Sequence, residues 1–148
     1  MKFAKFAKSV APNAFVYEDG NDKWLTDGTI YMKVPSTARF IGMSCGEISD
    51  QVKKMLSTTA YAEAFLSHAV LPEADSKIKD AIRVYSANDP SITPFGITND
   101  AWGYIEGKDR VAIGYDPHDN VSNILLILDR DGNVIGGIMP TAEGDMNA

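Results

Sequence analysis

The sequence predicts a single α+β domain, and three observations support that fold class. Each end of the chain has the pattern of a short helix followed by three strands in an antiparallel meander, the middle has helical patterns, and no linker divides the chain. We therefore expect antiparallel meander sheets from both chain ends with helices on one face. The domain should span residues 1–140, followed by a polar C-terminal tail at residues 141–148.

The first meander follows a short amphipathic helix. Phe3, Phe6, Ala7 and Val10 recur at helical spacing, and Pro12 lies beyond the helix end. Strands are predicted at residues 14–18, 23–26 and 29–34, with a fourth at residues 39–43. An Asp-Gly pair between the second and third runs indicates a hairpin, since a type I′ turn needs positive φ at both central residues.

Two helices are predicted in the middle of the chain. Ser44 followed by Glu47 three residues later is a capping-box pattern at the start of the first helix. Its apolar residues at helical spacing are Ile48, Val52, Met55 and Leu56. A second helix follows from the same spacing of Tyr61, Ala64, Phe65, His68 and Ala69. Strands are then predicted at residues 81–86 and 92–97.

The C-terminal part of the chain has the same order of elements as the N-terminal part. Thr98 or Asn99 is suited to cap a short helix that contains Trp102. Three strands should follow, at residues 110–115, 124–128 and 133–139. Gly136 and Gly137 fall inside the last of these strands, where adjacent glycines indicate a bulge or a close backbone contact.

Composition places the chain among ordinary globular proteins of a reducing compartment. Of 148 residues, 45% are hydrophobic and 23% charged, which is enough to form a core without disulfides or metals. Cys45 is the only cysteine, so no internal disulfide can form, and we expect a small buried or semi-buried residue there. Lys5 and Lys8 interrupt the apolar N-terminus, and the longest apolar run, residues 124–128, is too short for a membrane span. We expect a cytoplasmic protein with no membrane partner.

The charge of the chain argues against non-specific nucleic-acid binding. The net charge is −6 and the pI is about 4.8. A nucleic-acid-binding domain usually carries surplus Lys and Arg. Two interpretations stay open: ordinary solubility, or an acidic face that competes for a basic groove on a partner.

The sequence contains no recognisable catalytic constellation, so we predict a non-enzymatic protein without a cofactor. The only histidines, His68 and His118, lie on different elements, and no nucleophile motif accompanies them. Asp116, His118 and Asp119 form the densest mixed cluster and are weak metal candidates, since the same residues are ordinary turn formers. The segment from Asp129 departs from a calcium loop because Gly132 and Pro140 occupy the fourth and twelfth positions, so a hairpin is favoured.

Two partial resemblances add context. Residues 1–20, MKFAKFAKSVAPNAFVYEDG, resemble the start of small proteins carried by phages and prophages of Gram-positive bacteria. That resemblance implies a phage accessory protein acting in the bacterial host cell. Residues 99–140 are similar in order to a half-domain of DNA sliding clamps, in which a helix and strands close on a Met-Pro pair, here Met139-Pro140. Clamp inner helices are basic, whereas this helix region is acidic, so the resemblance implies the shape without DNA encirclement.

The function predicted from these observations is inhibition by binding. We expect a phage-type accessory protein that binds a bacterial defence or nucleic-acid-handling protein through an acidic surface. The predicted partner-binding residues are Asp100, Trp102, Tyr104, Glu106 and Asp109. A clamp-like replication module and a small-ligand-binding, or sponge, protein stay open as alternatives, as does assembly into a homo-oligomer.

Overall fold

The computed structural model describes residues 1–10, 15–19, 22–35, 50–58, 60–70 and 82–139. These residues form three helices and nine strands. The helices are α1 (Phe3–Val10), α2 (Asp50–Leu56) and α3 (Asn99–Trp102). The strands are β1 (Phe15–Asp19), β2 (Asp22–Thr26), β3 (Ile30–Lys33), β4 (Tyr61–Val70), β5 (Ile82–Ala87), β6 (Phe95–Thr98), β7 (Arg110–Tyr115), β8 (Ser122–Leu128) and β9 (Val134–Ile138).

The two predicted meanders join into one antiparallel sheet. Its strand order is β1-β2-β3-β9-β8-β7-β4-β5-β6. The meanders meet where β3 pairs with β9, with Ile30 opposite Ile138. The α+β class and the single domain are thus confirmed. The relationship to clamp half-domains stays a prediction, although α3 and β7 to β9 have the order on which it rests.

Helices pack against both faces of the sheet. Successive side chains of a strand point to opposite faces, so neighbouring residues enter different core clusters. Leu25 belongs to the core cluster that contains Phe6 of α1, whereas its neighbour Trp24 packs in the cluster that contains Leu56 of α2. The prediction of helices on one face therefore holds for α1 and α3, and α2 lies on the opposite face. Strand β8 explains why: all five residues from Ile124 to Leu128 are at most 1% exposed, so both of its faces need cover.

The two adjacent glycines of β9 each admit a neighbour on a different face. Gly136 lies under the thioether of Met1, and a methyl group at Gly137 would lie 2.7 Å from Cδ2 of Leu56. The register also shifts between Ile127 and Leu128 where β8 pairs with β9. The predicted close contact with the glycine backbone is therefore present, and the pairing is irregular next to Gly136.

The prediction of a second central helix is wrong, since residues 61–70 form strand β4. This strand pairs with β7 through its first residues and with β5 through the rest. Alanine, leucine and glutamate favour a helix locally, but two partner strands supply tertiary pairing that outweighs this preference. His68 consequently lies on a strand and not on a helix, and α2 stands without a helical partner in the described part of the chain.

The β2–β3 hairpin is confirmed, but its turn is not of type I′. Gly28 has a φ of +97°, whereas Asp27 is not among the residues with positive φ. Asp27 accepts hydrogen bonds through Oδ1 from the amides of Thr29 and Ile30, at 2.9 and 2.8 Å. The Asp27 side chain therefore stabilises the turn by accepting hydrogen bonds from two backbone amides.

Several predicted features lie outside the described residues. They are the strand at residues 39–43, the capping box of Ser44 and Glu47, Cys45, Pro140 and the tail at residues 141–148. Within the described ranges, no helix is long and apolar enough to cross a membrane.

Candidate functional site

A cleft opens where β4 separates from β7. Pairing between these strands ends with Glu63 opposite Ala112, and β4 then pairs with β5 from Ala64 onward. The next residues of β4 and the first residues of β7 therefore diverge and leave a cleft of about 440 Å³. We call it the β4–β7 cleft. Its described lining is Glu63, Ala64, Phe65, Leu66, Tyr85, Trp102, Ile105, Glu106, Gly107, Asp109, Arg110 and Val111.

The β4 wall of this cleft exposes apolar side chains. Phe65 is 50% exposed and Leu66 41% exposed, and Tyr61 on the same strand is 38% exposed. Among the described residues, Val121 is the one other large hydrophobic side chain exposed to this degree. Tyr61 and Phe65 share one face of β4 and Leu66 points to the other, so the strand exposes apolar surface on both sides of its edge at the cleft, which is typical of an interaction site.

The opposite wall is held by α3, which places Trp102 at the cleft. The guanidinium of Arg83 stacks over the Trp102 ring at 4.3 Å from its centroid, and Arg83 Nε donates to Asn99 Oδ1 at 3.0 Å. Burial raises the pKa of Tyr85 next to it, against a hydrogen bond with Trp102 and the charge of Arg83, which lower it. The Tyr85 hydroxyl is therefore neutral at physiological pH. Stacking with Arg83 orients the Trp102 ring, which forms an aromatic wall of the cleft.

The predicted N-cap of α3 is confirmed as Thr98, whose Oγ1 accepts from the amide of Ala101 at 3.2 Å. We expect Thr98→Ala to lower the free energy of unfolding by about 1 kcal/mol, because this donor then lacks its partner. Urea unfolding measures the change. Thr93→Ala, at an exposed loop position, is the matched control and should change stability by less than about 0.5 kcal/mol. Equal values for the two variants would contradict the capping role.

Two of the predicted acidic residues surround the amino group of Met1. The Asp109 carboxylate lies 2.8 Å from this nitrogen, and Glu106 Oε1 lies 3.4 Å from it. The side chains of Met1 and Asp109 are each 2% exposed. Asp109 Oδ2 also accepts from the Glu106 amide at 2.8 Å. Asp109 is therefore a buried part of the cleft wall, whereas the Glu106 side chain, at 32% exposed, reaches the surface.

The charged rim of the cleft has a surplus of carboxylates. Glu63 and Arg110 form an ion pair across it, with side chains 63% and 46% exposed. Glu106 adds a further carboxylate, which lies 3.4 Å from the Met1 amino group and 3.8 Å from Lys108 Nζ, and Asp109 is compensated by the same amino group. The accessible rim thus presents two carboxylates and one guanidinium.

The five predicted contact residues do not all meet at this cleft. Trp102, Glu106 and Asp109 line it, whereas Asp100 is exposed at the start of α3. Tyr104 packs on α1: its ring lies edge-on to Phe6 at 5.3 Å between centroids. Its hydroxyl is 2.8 Å from Ser9 Oγ. The principal role of Tyr104 is therefore to join α1 to the segment after α3.

The weak metal candidates form a turn that satisfies its own backbone. Asp116 Oδ1 accepts from the His118 amide at 2.9 Å, and Asp119 Oδ1 accepts from the Val121 amide at 3.0 Å. Asn120 has a left-handed φ of 59° in the same turn. No group of three metal-ligating side chains occurs in the described ranges.

Phe65 and Leu66 were not predicted as site residues, because the helical interpretation assigned Phe65 to a buried face. A second signal in the same segment was available. Tyr61 and Phe65 are aromatic and Val70 is β-branched, and these residue types are enriched in strands. Comparison of the chain with protein-family models, with curated proteins and with solved structures found no match.

Proposed function

We propose that this protein acts by binding another protein through the β4–β7 cleft. The observation that carries the proposal is the exposure of Phe65 and Leu66 on the β4 wall of a cleft that Trp102 also lines, beside a carboxylate rim. The partner would present an extended segment with an apolar side chain between basic residues. No catalytic step is part of the proposal.

Apolar contact would supply most of the affinity. Full burial of a Phe or Leu side chain stabilises by roughly 1.5–3 kcal/mol, so burial of the exposed half of each contributes on the order of 1 kcal/mol. Trp102 adds a rigid aromatic surface, because Arg83 stacking holds its ring in place. Tryptophan is enriched among the residues that dominate binding energies at interfaces.

Backbone pairing supports an extended partner segment. Beyond Glu63, the edge of β4 that faces β7 has no ladder partner in the described structure. An extended segment can add to such an edge through main-chain hydrogen bonds, while alternate side chains enter the cleft.

Charge would set the choice of partner. Glu63 and Glu106 lie on the rim, and the whole chain carries a net charge of −6. Complementary charge raises association rates and discriminates among partners more than it raises affinity. With the resemblance of residues 1–20 to phage proteins, this supports a basic bacterial protein as partner, of a defence or nucleic-acid-handling kind.

The test is capture of partners from bacterial lysate by the tagged protein, compared across two matched pairs of variants. Phe65→Ser and Val121→Ser each alter a side chain that is 50% exposed, and of the two only Phe65 lines the cleft. Glu63→Gln and Glu18→Gln each remove one charge from a glutamate that is 63% or 62% exposed and ion-paired. We expect Phe65→Ser to reduce capture about fivefold, the equivalent of about 1 kcal/mol, and Glu63→Gln to weaken it, with both controls unchanged.

Two further results would decide the proposal. Amide hydrogen exchange at residues 64–66 should slow when the captured partner is bound, as strand addition requires. Raising the salt concentration from about 0.1 M to about 0.5 M should reduce capture, because exposed charges are then screened. Capture that is equal for Phe65→Ser and the wild type, or the absence of any captured protein, would overturn the proposal.

A further inference from the structure

A second, larger cavity lies at the end of the sheet where α1 begins. It has a volume of about 950 Å³. Residues of the N-terminus, β2, β3, the segment before β7 and the β8–β9 hairpin line it. We call it the end pocket. Its size is at the upper end of the range usual for small-molecule sites in proteins.

The end pocket has an apolar part. Phe3, Val34 and Ile135 line it and are partly exposed, and Met32 lies beneath them at 1% exposed. Such a lining favours a ligand with an apolar or aromatic body.

The carboxylates of this pocket are largely engaged by the protein itself. Asp109 lies 2.8 Å from the Met1 amino group, and Asp22 lies 3.2 Å from Lys33 Nζ. Asp129 Oδ1 accepts from the amides of Asn133 and Asp131, each at 2.9 Å, and the Asn133 amide bond is the main cause that lowers the pKa of Asp129. Asp129 keeps its negative charge because its partners are neutral amides, and Asp129 and Asp131 are the lining carboxylates without an ion pair among the described residues.

Three basic side chains of the pocket have only long ion pairs or none. Arg130 has no ion-pair partner in the described part of the chain. Lys108 reaches Glu106 only at 3.8 Å and Lys23 reaches Glu18 only at 3.8 Å, with lysine side chains 65% and 59% exposed. Exposed pairs at such distances contribute little. Three cations with weak or no ion pairs, Lys23, Lys108 and Arg130, thus face two carboxylates without an ion pair, Asp129 and Asp131, in a chain whose net charge is −6.

We propose that the end pocket binds a small organic anion, in which a phosphate or carboxylate group is attached to an apolar body. Arg130 and Lys108 would hold the anionic group, because a guanidinium and an ammonium are the side chains suited to these oxygens. The apolar body would lie against Phe3 and Ile135. This site adjoins the β4–β7 cleft through Asp109, which lines both, but the proposal does not depend on protein binding at the cleft.

The test uses the intact chain and three fluorescent probes of matched shape: 1-naphthyl phosphate, 1-naphthoate and uncharged 1-naphthol. We expect one or both anions to bind at least about tenfold more tightly than 1-naphthol, and the stronger of the two identifies the preferred group. Binding of 1-naphthol equal to that of both anions, or no binding of either anion up to about 10 mM, would overturn the proposal.

A matched pair of double variants tests the residues. Lys108→Gln with Arg130→Gln removes two cations from the pocket, and Lys53→Gln with Lys54→Gln removes two from α2, outside it. The first should weaken anion binding about tenfold and leave 1-naphthol unchanged, while the second should change neither. Equal anion affinity in the two double variants would show that Arg130 and Lys108 do not form the site. Phe65→Ser should bind the anions as the wild type does, which separates this result from the outcome at the cleft.

Discussion

Asp109→Asn should lower the free energy of unfolding by about 2–3 kcal/mol, because it removes the charge of a buried carboxylate that pairs with the Met1 amino group. The Asp109 carboxylate lies 2.8 Å from the Met1 nitrogen, and both side chains are 2% exposed. Loss of one partner of a fully buried pair costs roughly 3–5 kcal/mol. The expected loss is smaller here because Met1 as a whole residue is only partly buried and because Glu106 stays 3.4 Å from the same nitrogen. Urea unfolding of the untagged chain measures the change.

Asp131→Asn is the control for this prediction. It makes the same chemical change at an exposed position of the β8–β9 hairpin, where a surface substitution should alter stability by less than about 0.5 kcal/mol. A loss below about 1 kcal/mol in Asp109→Asn would mean that the contact with Met1 contributes no more than an exposed ion pair.

Gly137→Ala should destabilise the protein by about 1–3 kcal/mol through overpacking between α2 and the sheet. The added methyl group would lie 2.7 Å from Cδ2 of Leu56 and 2.9 Å from Cδ1 of Ile124. Ile124 is fully buried, and Leu56 is 6% exposed, so neither side chain can move away without disturbing the core. Urea unfolding again gives the free energy.

Gly107→Ala is the matched control, because no atom lies within 4 Å of the position that its methyl group would take. Its stability should be unchanged or slightly raised, since alanine restricts the unfolded chain. A double-mutant cycle of Gly137→Ala with Leu56→Ala should show a coupling energy of about 0.5–3 kcal/mol if Leu56 is the clashing neighbour. Additive effects would assign the loss to another cause.

Local patterns were sufficient to predict most of the strands. Strand β7 has the predicted bounds, Arg110–Tyr115, and β2, β3, β5, β8 and β9 lie within one or two residues of theirs. Alternating or continuous apolar runs between Asp-Gly and Asn-rich turns define these strands without reference to the rest of the chain. The N-cap at Thr98 was equally accessible, because its hydrogen bond joins residues three positions apart.

The candidate site was predicted only in part. Trp102, Glu106 and Asp109 were chosen from a short acidic and aromatic segment, and they do line the cleft. Phe65 and Leu66 were missed because they belong to β4, whose apolar residues recur at helical spacing although the segment forms a strand. Asp109 and the Met1 amino group form an ion pair although they are 108 positions apart in the chain, and no local sequence pattern indicates this pair.

By itself, the sequence determined the α+β class, the meander at each end and the acidic charge. These depend on the period of apolar residues, on turn chemistry and on composition, which are all local or additive. Only the tertiary structure decided that the meanders join through β3 and β9, that α2 lies opposite α1, and that β4 is a strand. The physical reason is that strand pairing and burial join residues far apart in the chain, and their combined free energy outweighs the weak local preference of a segment such as residues 61–70.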